Sequence, residues 1–278
     1  MNPRVGIMQG RLVPPEEGRF QSFPASGWRE EFLRARSAGL YCIEWIFDQP
    51  FAAVNPLADD AGIRDIKAIA AETGVAVRSI CADYYMERRL VAVDGVPDRP
   101  AQEHLGWLVA RAAQLGVSYV VLPFVDASSL GTKAERAALA AALQPALPFA
   151  DRGNVELHLE TDLAPREFAA LLETIGHPRV KANYDIGNSA ANGFDPDEEL
   201  TILARWLGSV HVKDRVRGGG TVRLGTGSAN LRLAIGKIRE IGFDRWLILQ
   251  AAREEGIDHV ALGRRNRETV ERLWMHDS

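Results

Sequence analysis

Cysteine is nearly absent: Cys42 and Cys81 are the only two in 278 residues. Two thiols do not make a disulfide framework, so a reducing compartment is the default expectation. No stretch approaches the ~18 consecutive apolar residues that a membrane span needs. The opening Met1-Asn2-Pro3-Arg4-Val5-Gly6 has no long apolar run and lacks a signal peptide's pattern. Basic residues are in slight deficit, 33 against 37 acidic ones, for a formal charge of −4 and a pI near 5.9. That balance offers nucleic acid no basic face. These absences predict a soluble, cytoplasmic protein whose partner is a small molecule, not nucleic acid or membrane.

The 46% apolar content is enough for one large core. A β-rich run followed by a segment of helical period recurs eight times. The first half places strands at Arg4 to Gln9, Tyr41 to Phe47, Val75 to Ala82 and Tyr119 to Phe124. Helices follow each, from Ser26 (a candidate N-cap) to Gly39, from Asp59 or Asp60 to Gly74, from Pro100 to Gly116 and from Thr132 to Asp151. The second half places strands at Val155 to Glu160, Val180 to Ile186, Ser209 to Lys213 and Trp246 to Gln250. Their helices run Pro165 to Ile175, Pro196 to Trp206, Asn230 to Ile241 and Ile257 to Trp274. Glycines close several helices, as in Ala38-Gly39 and Leu115-Gly116, where a left-handed turn costs them nothing. Eight βα units in one chain predict an α/β fold, a single (β/α)8 TIM barrel over residues 1–278, since closure leaves no sheet edge to protect.

Parallel strands covered by helices usually read as unbroken apolar runs. Four strands here break that rule at one end. Alternation puts Glu156, His158 and Glu160 on the inner face of strand five, and Lys181, Asn183 and Asp185 on that of strand six. His211 and Lys213 point inward from strand seven, and Gln250 ends strand eight. Glu160, Asp185, His211 and Gln250 thus converge on the C-terminal mouth, where this fold keeps its active sites. Buried carboxylates need compensation, and two carboxylates, an imidazole and an amide oxygen suit one octahedral divalent ion: Mn²⁺, Mg²⁺ or Co²⁺, with zinc a further option. His158, deeper in the barrel, reads as a structural hydrogen-bonding group. Trp45 reads as packing.

These residues resemble a family. Glu160, Asp185-Ile186-Gly187-Asn188, His211-Val212-Lys213-Asp214 and a polar strand-eight residue are similar to the xylose-isomerase-like sugar phosphate isomerases and epimerases. Gly6-Ile7-Met8-Gln9-Gly10-Arg11-Leu12 and Ile43-Glu44-Trp45 fit the same group, so the likeness spans essentially the whole chain. The resemblance implies a carbohydrate substrate, a metal that stabilises an enediolate, proton abstraction beside a carbonyl, and a homodimer or tetramer. It also implies two metal-ligating glutamates, on strands five and eight, acting as acid and base. Glu160 matches the first, whereas Gln250 stands at the second. Asn188 stands where many members carry histidine. Glutamine cannot take up a proton as a carboxylate does. A one-base isomerisation by Glu160 survives this change, as does a dehydration. Lys213, Lys181 and Glu44, in that order, are candidates for the second group. A non-catalytic sugar-binding barrel is the rival of a different class. An endonuclease would need a basic face and more strand-end histidines than this chain has, since His104, His177, His259 and His276 fall on helices or loops.

Gln9, Arg11, Glu44, Asn188, Arg215 and Arg253 are candidate substrate contacts. The loop Asp214-Arg215-Val216-Arg217-Gly218-Gly219-Gly220, with Leu224-Gly225-Thr226-Gly227 after it, offers arginines and close backbone N–H groups to a phosphate or carboxylate.

Overall fold

In a computed structural model, residues 3–92 and 94–275 are described. Their barrel strands are β1 (Arg4–Met8), β2 (Cys42–Ile46), β3 (Ala76–Cys81), β4 (Tyr119–Phe124), β5 (Glu156–Thr161), β6 (Val180–Asp185), β7 (Leu207–Val212) and β10 (Trp246–Leu249). They close in the order β1-β10-β7-β6-β5-β4-β3-β2, every pairing parallel. This is the predicted (β/α)8 barrel. The remaining strands, β8 (Asp214–Arg215) and β9 (Thr221–Val222), form a small antiparallel hairpin after β7.

The helices are α1 (Trp28–Ser37), α2 (Asp60–Thr73), α3 (Tyr84–Glu87), α4 (Arg99–Leu115), α5 (Lys133–Leu143), α6 (Leu147–Gly153), α7 (Pro165–Ile175), α8 (Ile186–Asn192), α9 (Pro196–Leu203), α10 (Leu231–Glu240) and α11 (His259–Met275). Asp59 caps α2 through Gly62 N, and Asn230 caps α10 through Leu233 N. Three sequence expectations need correction. Ser26 is not the cap of α1, because its hydroxyl bonds Glu16 and Gly27 takes the capping position. The helix expected from Thr132 to Asp151 is two helices, since Pro148 sits in the first turn of the second one. Strand six does not continue through Ile186: Asp185 accepts from Asn188 N at 2.8 Å and starts α8 directly. His276 lies outside the described residues.

Beneath the β1–α1 connection, Phe23, Trp28, Phe32 and Trp45 pack ring against ring, with centroid separations of 5.5 to 6.5 Å. Trp45 is fully buried, as its packing role requires, and its indole N–H donates to Asn55 Oδ1 at 3.0 Å. On the next layer, the Glu31 carboxylate accepts from Gly10 N and Leu12 N at 2.9 and 3.1 Å, holding the first turn after β1. His158 has the structural role expected of it. It bonds Ser209 Oγ at 2.8 Å and Glu156 at 3.0 Å, and stacks on Tyr119 at 4.2 Å.

A polar knot fixes the other side of the mouth. Glu199 of α9 accepts from Tyr184 Oη of β6 at 3.2 Å and from Ser189 Oγ of α8. It thereby sets the β6–α8 junction from which Asp185 and Asn188 project. Burial, only partly offset by those two hydroxyls, pushes Glu199 up to about 7. A folded-state value raised above the unfolded one favours folding most below about pH 4.5. That contribution is lost as pH rises towards 7. Glu199→Gln, which cannot ionise, should therefore gain on the wild type by up to roughly 3 kcal/mol between pH 5 and pH 8. Denaturant midpoints at the two pH values check this; an unchanged difference between the proteins would contradict it.

Candidate metal centre and active-site cleft

Three side chains from consecutive barrel strands meet at the mouth. One ligand atom from each of Glu160, Asp185 and His211 lies within 4.8 Å of the other two. All three side chains are buried. Their convergence follows from strand register, with Asp185 beside His211 across β6–β7. His211 Nδ1 is 3.3 Å from Glu160 Oε2 and 3.8 Å from Asp185 Oδ2. Its other nitrogen, Nε2, is 2.6 Å from Glu44 Oε1, and Glu44 Oε2 accepts from Ser79 Oγ at 2.6 Å. Burial alone would keep His211 neutral, but Glu44, Asp185 and Glu160 together drive its pKa well above the usual imidazole range. Asp185 is also buried, yet Lys213 and His211 hold it well below the ordinary carboxylate range. The Lys213 ammonium stands 2.8 Å from Asp185 Oδ2. Three buried carboxylates around one imidazole are a strong demand for positive charge.

The donor set fits a divalent cation. With Nε2–H given to Glu44, Nδ1, which lies 3.2 Å from Asn183 Nδ2 and beside the two carboxylates, is the nitrogen a cation would take in place of its proton, the carboxylate–histidine arrangement that orients metal-binding imidazoles. Gln250 adds a second observation: its Oε1 is buried with no hydrogen-bond donor, while its Nε2 donates to Gln21 Oε1 at 2.9 Å. An amide oxygen left without a donor beside β7 is available as a fourth ligand.

The cluster opens on a cleft of about 770 Å³, lined in part by Glu160, Lys213, Gln250, Asn188 and Arg215. Asn188 Nδ2 donates to Glu160 Oε1 at 2.6 Å, and Arg215 Nη1 donates to Asn188 Oδ1 at 2.8 Å. A relay thus runs from arginine to amide to carboxylate. Close packing makes Gly187 necessary here, because a Cβ would lie 2.4 Å from Lys213 Cγ.

Other sequence candidates sit elsewhere. Glu44 is fully buried under His211 and does not line the cleft. Gln9 is equally buried, its Oε1 accepting from Ile46 N at 2.9 Å. Arg11 and Arg253 turn away from the cleft lining. Arg11 Nη1 and Arg253 Nη1 donate to the Phe20 carbonyl at 2.8 and 2.9 Å, and Arg11 Nη2 donates to Gln21 Oε1 at 2.8 Å. They pin the segment that carries Gln21. Lys181 is remote from the mouth, lining a groove with His177 and Trp206. The glycine loop also departs from expectation: its backbone N–H groups do not form an open cradle. Gly225 N, Gly227 N and Ala229 N donate to the Asp214 carboxylate at 2.9, 2.8 and 3.0 Å, so the chain supplies its own anion there.

Sequence reasoning missed Gln21, Asp48 and Asp83, all on the cleft wall. Asp48 and Asp83 directly follow strands two and three. The strand-end rule that found the Glu160–Asp185–His211 cluster, applied to the first half of the chain, would have found both.

A closed parallel barrel with an acidic, histidine-centred cluster at its C-terminal mouth defines a class: (β/α)8 barrels whose strand ends carry a group of side chains able to hold a metal ion. The model of the xylose isomerase-like TIM barrel family matches residues 32–273, and the chain belongs to that family. The chain is 27% identical over 244 residues to a 2-epi-5-epi-valiolone 7-phosphate 2-epimerase of Actinoplanes sp., covering 86% of this chain and 83% of that one. Its fold is also that of an L-ribulose 3-epimerase, with TM-score 0.73 and 20% identity, covering 98% of this chain and 94% of the other. A xylose isomerase-like barrel of Mycobacterium smegmatis in complex with magnesium aligns with TM-score 0.71 and 19% identity over 99% and 97% of the two chains.

Removing the orienting carboxylate should be felt at the cluster. Glu44→Gln is expected to weaken Mn²⁺ binding roughly 10–100-fold in a calorimetric titration. Unchanged affinity would show that Glu44 does not orient a ligating imidazole.

Proposed function

We propose that this protein is a divalent-metal-dependent isomerase or epimerase. Its substrate would be a small sugar, sugar phosphate or keto-polyol, and Glu160 would abstract the proton next to the substrate carbonyl. The observation that carries this reading is the Glu160–Asp185–His211 cluster, whose Glu160 lines the cleft beside Lys213, Asn188 and Arg215. The epimerase relative, aligned over most of both chains, supports the same class.

Each residue has a task its position allows. Glu160, Asp185, His211 and Gln250 would hold the cation, whether Mn²⁺, Mg²⁺, Co²⁺ or Zn²⁺. Bound there, it would polarise the carbonyl and stabilise the negative charge that develops on its oxygen. The Glu160 carboxylate faces the cleft and takes the proton from the adjacent carbon. Asn188 holds the other Glu160 oxygen, fixing the direction of its free lone pairs. Lys213 stays close to Asp185, its ammonium on the cleft wall, where it stabilises an enolate oxygen or protonates a departing hydroxyl. Arg215 commits its Nη1 to Asn188 and its Nε to the Gly219 carbonyl, leaving Nη2 for a substrate phosphate or carboxylate. With Asp214 filling the backbone cradle, Arg215 is the anion contact of the loop.

The amide at Gln250 favours a second reading within the same chemistry. A group that holds no proton suits a one-base aldose–ketose isomerisation, or a dehydration in which Lys213 serves the leaving hydroxyl.

Two measurements test the proposal. Protein purified without chelator should hold about one divalent ion per chain by elemental analysis, and the Asp185→Ala, His211→Ala double variant none. Glu160→Gln, assayed at Mn²⁺ concentrations that keep the weakened site loaded, should lose about 10²–10⁴-fold in deuterium uptake from solvent into a ketose substrate. Metal-loaded wild type that exchanges no substrate hydrogen and turns over no sugar would leave a sugar-binding barrel as the correct description.

A further inference from the structure

Inversion at a carbon beside a carbonyl requires two proton-handling groups on opposite sides of that carbon. Glu160 is one, and Gln250 cannot be the other. Two of the sequence candidates are placed out of reach, Glu44 beneath His211 and Lys181 in the groove beside His177. Lys213 stands on the same side as the metal cluster and is held by Asp185.

The cleft wall after β2 and β3 carries carboxyl groups that neither the metal cluster nor the Glu160 step uses. In the closed strand order, β3 lies across the barrel from β7 and two strands from β5, which carries Glu160. Asp83 follows β3 by two residues and lines the cleft with Glu160. Gln21 Nε2 donates to Asp83 Oδ2 at 2.8 Å, and the same Gln21 receives Gln250 Nε2 on its Oε1 at 2.9 Å. The strand-eight amide is therefore linked to the Asp83 carboxyl through one side chain. Cys81 Sγ donates to Asp83 Oδ1 at 3.2 Å. Asp48, on the same wall, accepts from Phe23 N at 3.0 Å through Oδ2, while its Oδ1 is buried with no donor.

We propose that Asp83 is the second acid–base group of this site, returning the proton that the Gln250 position cannot supply. The inference rests on the epimerase reading above. Glu160 takes the proton from carbon, and the C–H electron pair moves through the new C=C bond to the carbonyl oxygen. The Asp83 carboxylic acid then gives its proton to that carbon from the other face. The C=O bond re-forms with inverted configuration, leaving Glu160 protonated and Asp83 ionised, and exchange with water resets both. The surroundings allow Asp83 to hold a proton. Burial raises its pKa, the Gln21 and Cys81 hydrogen bonds lower it, Glu160 raises it and His211 lowers it, with a net upward shift. Burial likewise raises Asp48, to about 6, with Asp83 adding to the effect.

Asp83→Asn keeps an acceptor for Gln21 and a similar shape, and a thermal melt checks that it folds. The full-length Mn²⁺-loaded chain is incubated in D2O with D-fructose, D-allulose, L-ribulose and fructose 6-phosphate, and followed by NMR. Wild type should take up deuterium and form an epimer of at least one probe. Asp83→Asn should still take up deuterium into unreacted substrate within about tenfold of wild type, while epimer formation falls at least about 10²-fold. Adding Gln250→Glu to Asp83→Asn should restore part of the inversion. Epimer formation by Asp83→Asn at the wild-type rate overturns the proposal, as does parallel loss of exchange and inversion, which would mark a positioning residue. Absence of exchange in wild type with every probe is a different pattern, and it overturns both the epimerase reading and the acid–base role of Asp83.

Discussion

Everything at the mouth of this barrel depends on one buried imidazole held among carboxylates. His211 is clamped by Glu44 on one side and faces Glu160 and Asp185 on the other, all within the barrel interior. Like charges placed so close in a medium of low polarity repel strongly unless positive charge stands between them. The protein meets this demand with the imidazole, with Lys213 against Asp185, and with a geometry into which a divalent ion fits. The Glu44 pair also fixes the ring, so Nδ1 keeps a single direction.

Around that core the polar groups form two opposed walls. On the metal side, Asn188 and Arg215 steer Glu160. On the far side, Gln21, Asp48 and Asp83 stand on the loops after β1, β2 and β3. Gln250 is tied to the far side by its nitrogen, which donates to Gln21, while its oxygen is buried without a donor. An amide at that position therefore does more than leave out a base. It gives the strand-eight residue a donor, and the donor ties it to the opposite wall.

The barrel itself was legible because each βα unit repeats a local pattern that needs no partner to be read. The clustered strand-end residues were legible for a similar reason: alternation along a strand fixes which face a side chain takes, and a charged residue on an otherwise apolar face stands out. Loop residues gave no such pattern. Arg11 and Arg253 look in sequence like substrate contacts, yet both end on the Phe20 carbonyl, a partner 9 and 233 residues away. Asp214 looks like part of an anion-binding loop and is instead the anion that the loop binds. Two short-range signals were present and were passed over: Pro148 marks the break between α5 and α6, and Asp185 followed closely by a small residue marks the cap of α8.

If Glu160, Asp185, His211 and Gln250 surround one cation, crystals soaked in Mn²⁺ and measured at a wavelength where manganese scatters anomalously should reveal it. A single strong anomalous peak is expected within bonding distance of Glu160, Asp185 and His211 Nδ1, with Gln250 Oε1 completing the protein ligands. A peak lying elsewhere on the molecule, or none at the cluster in fully soaked crystals, would contradict it.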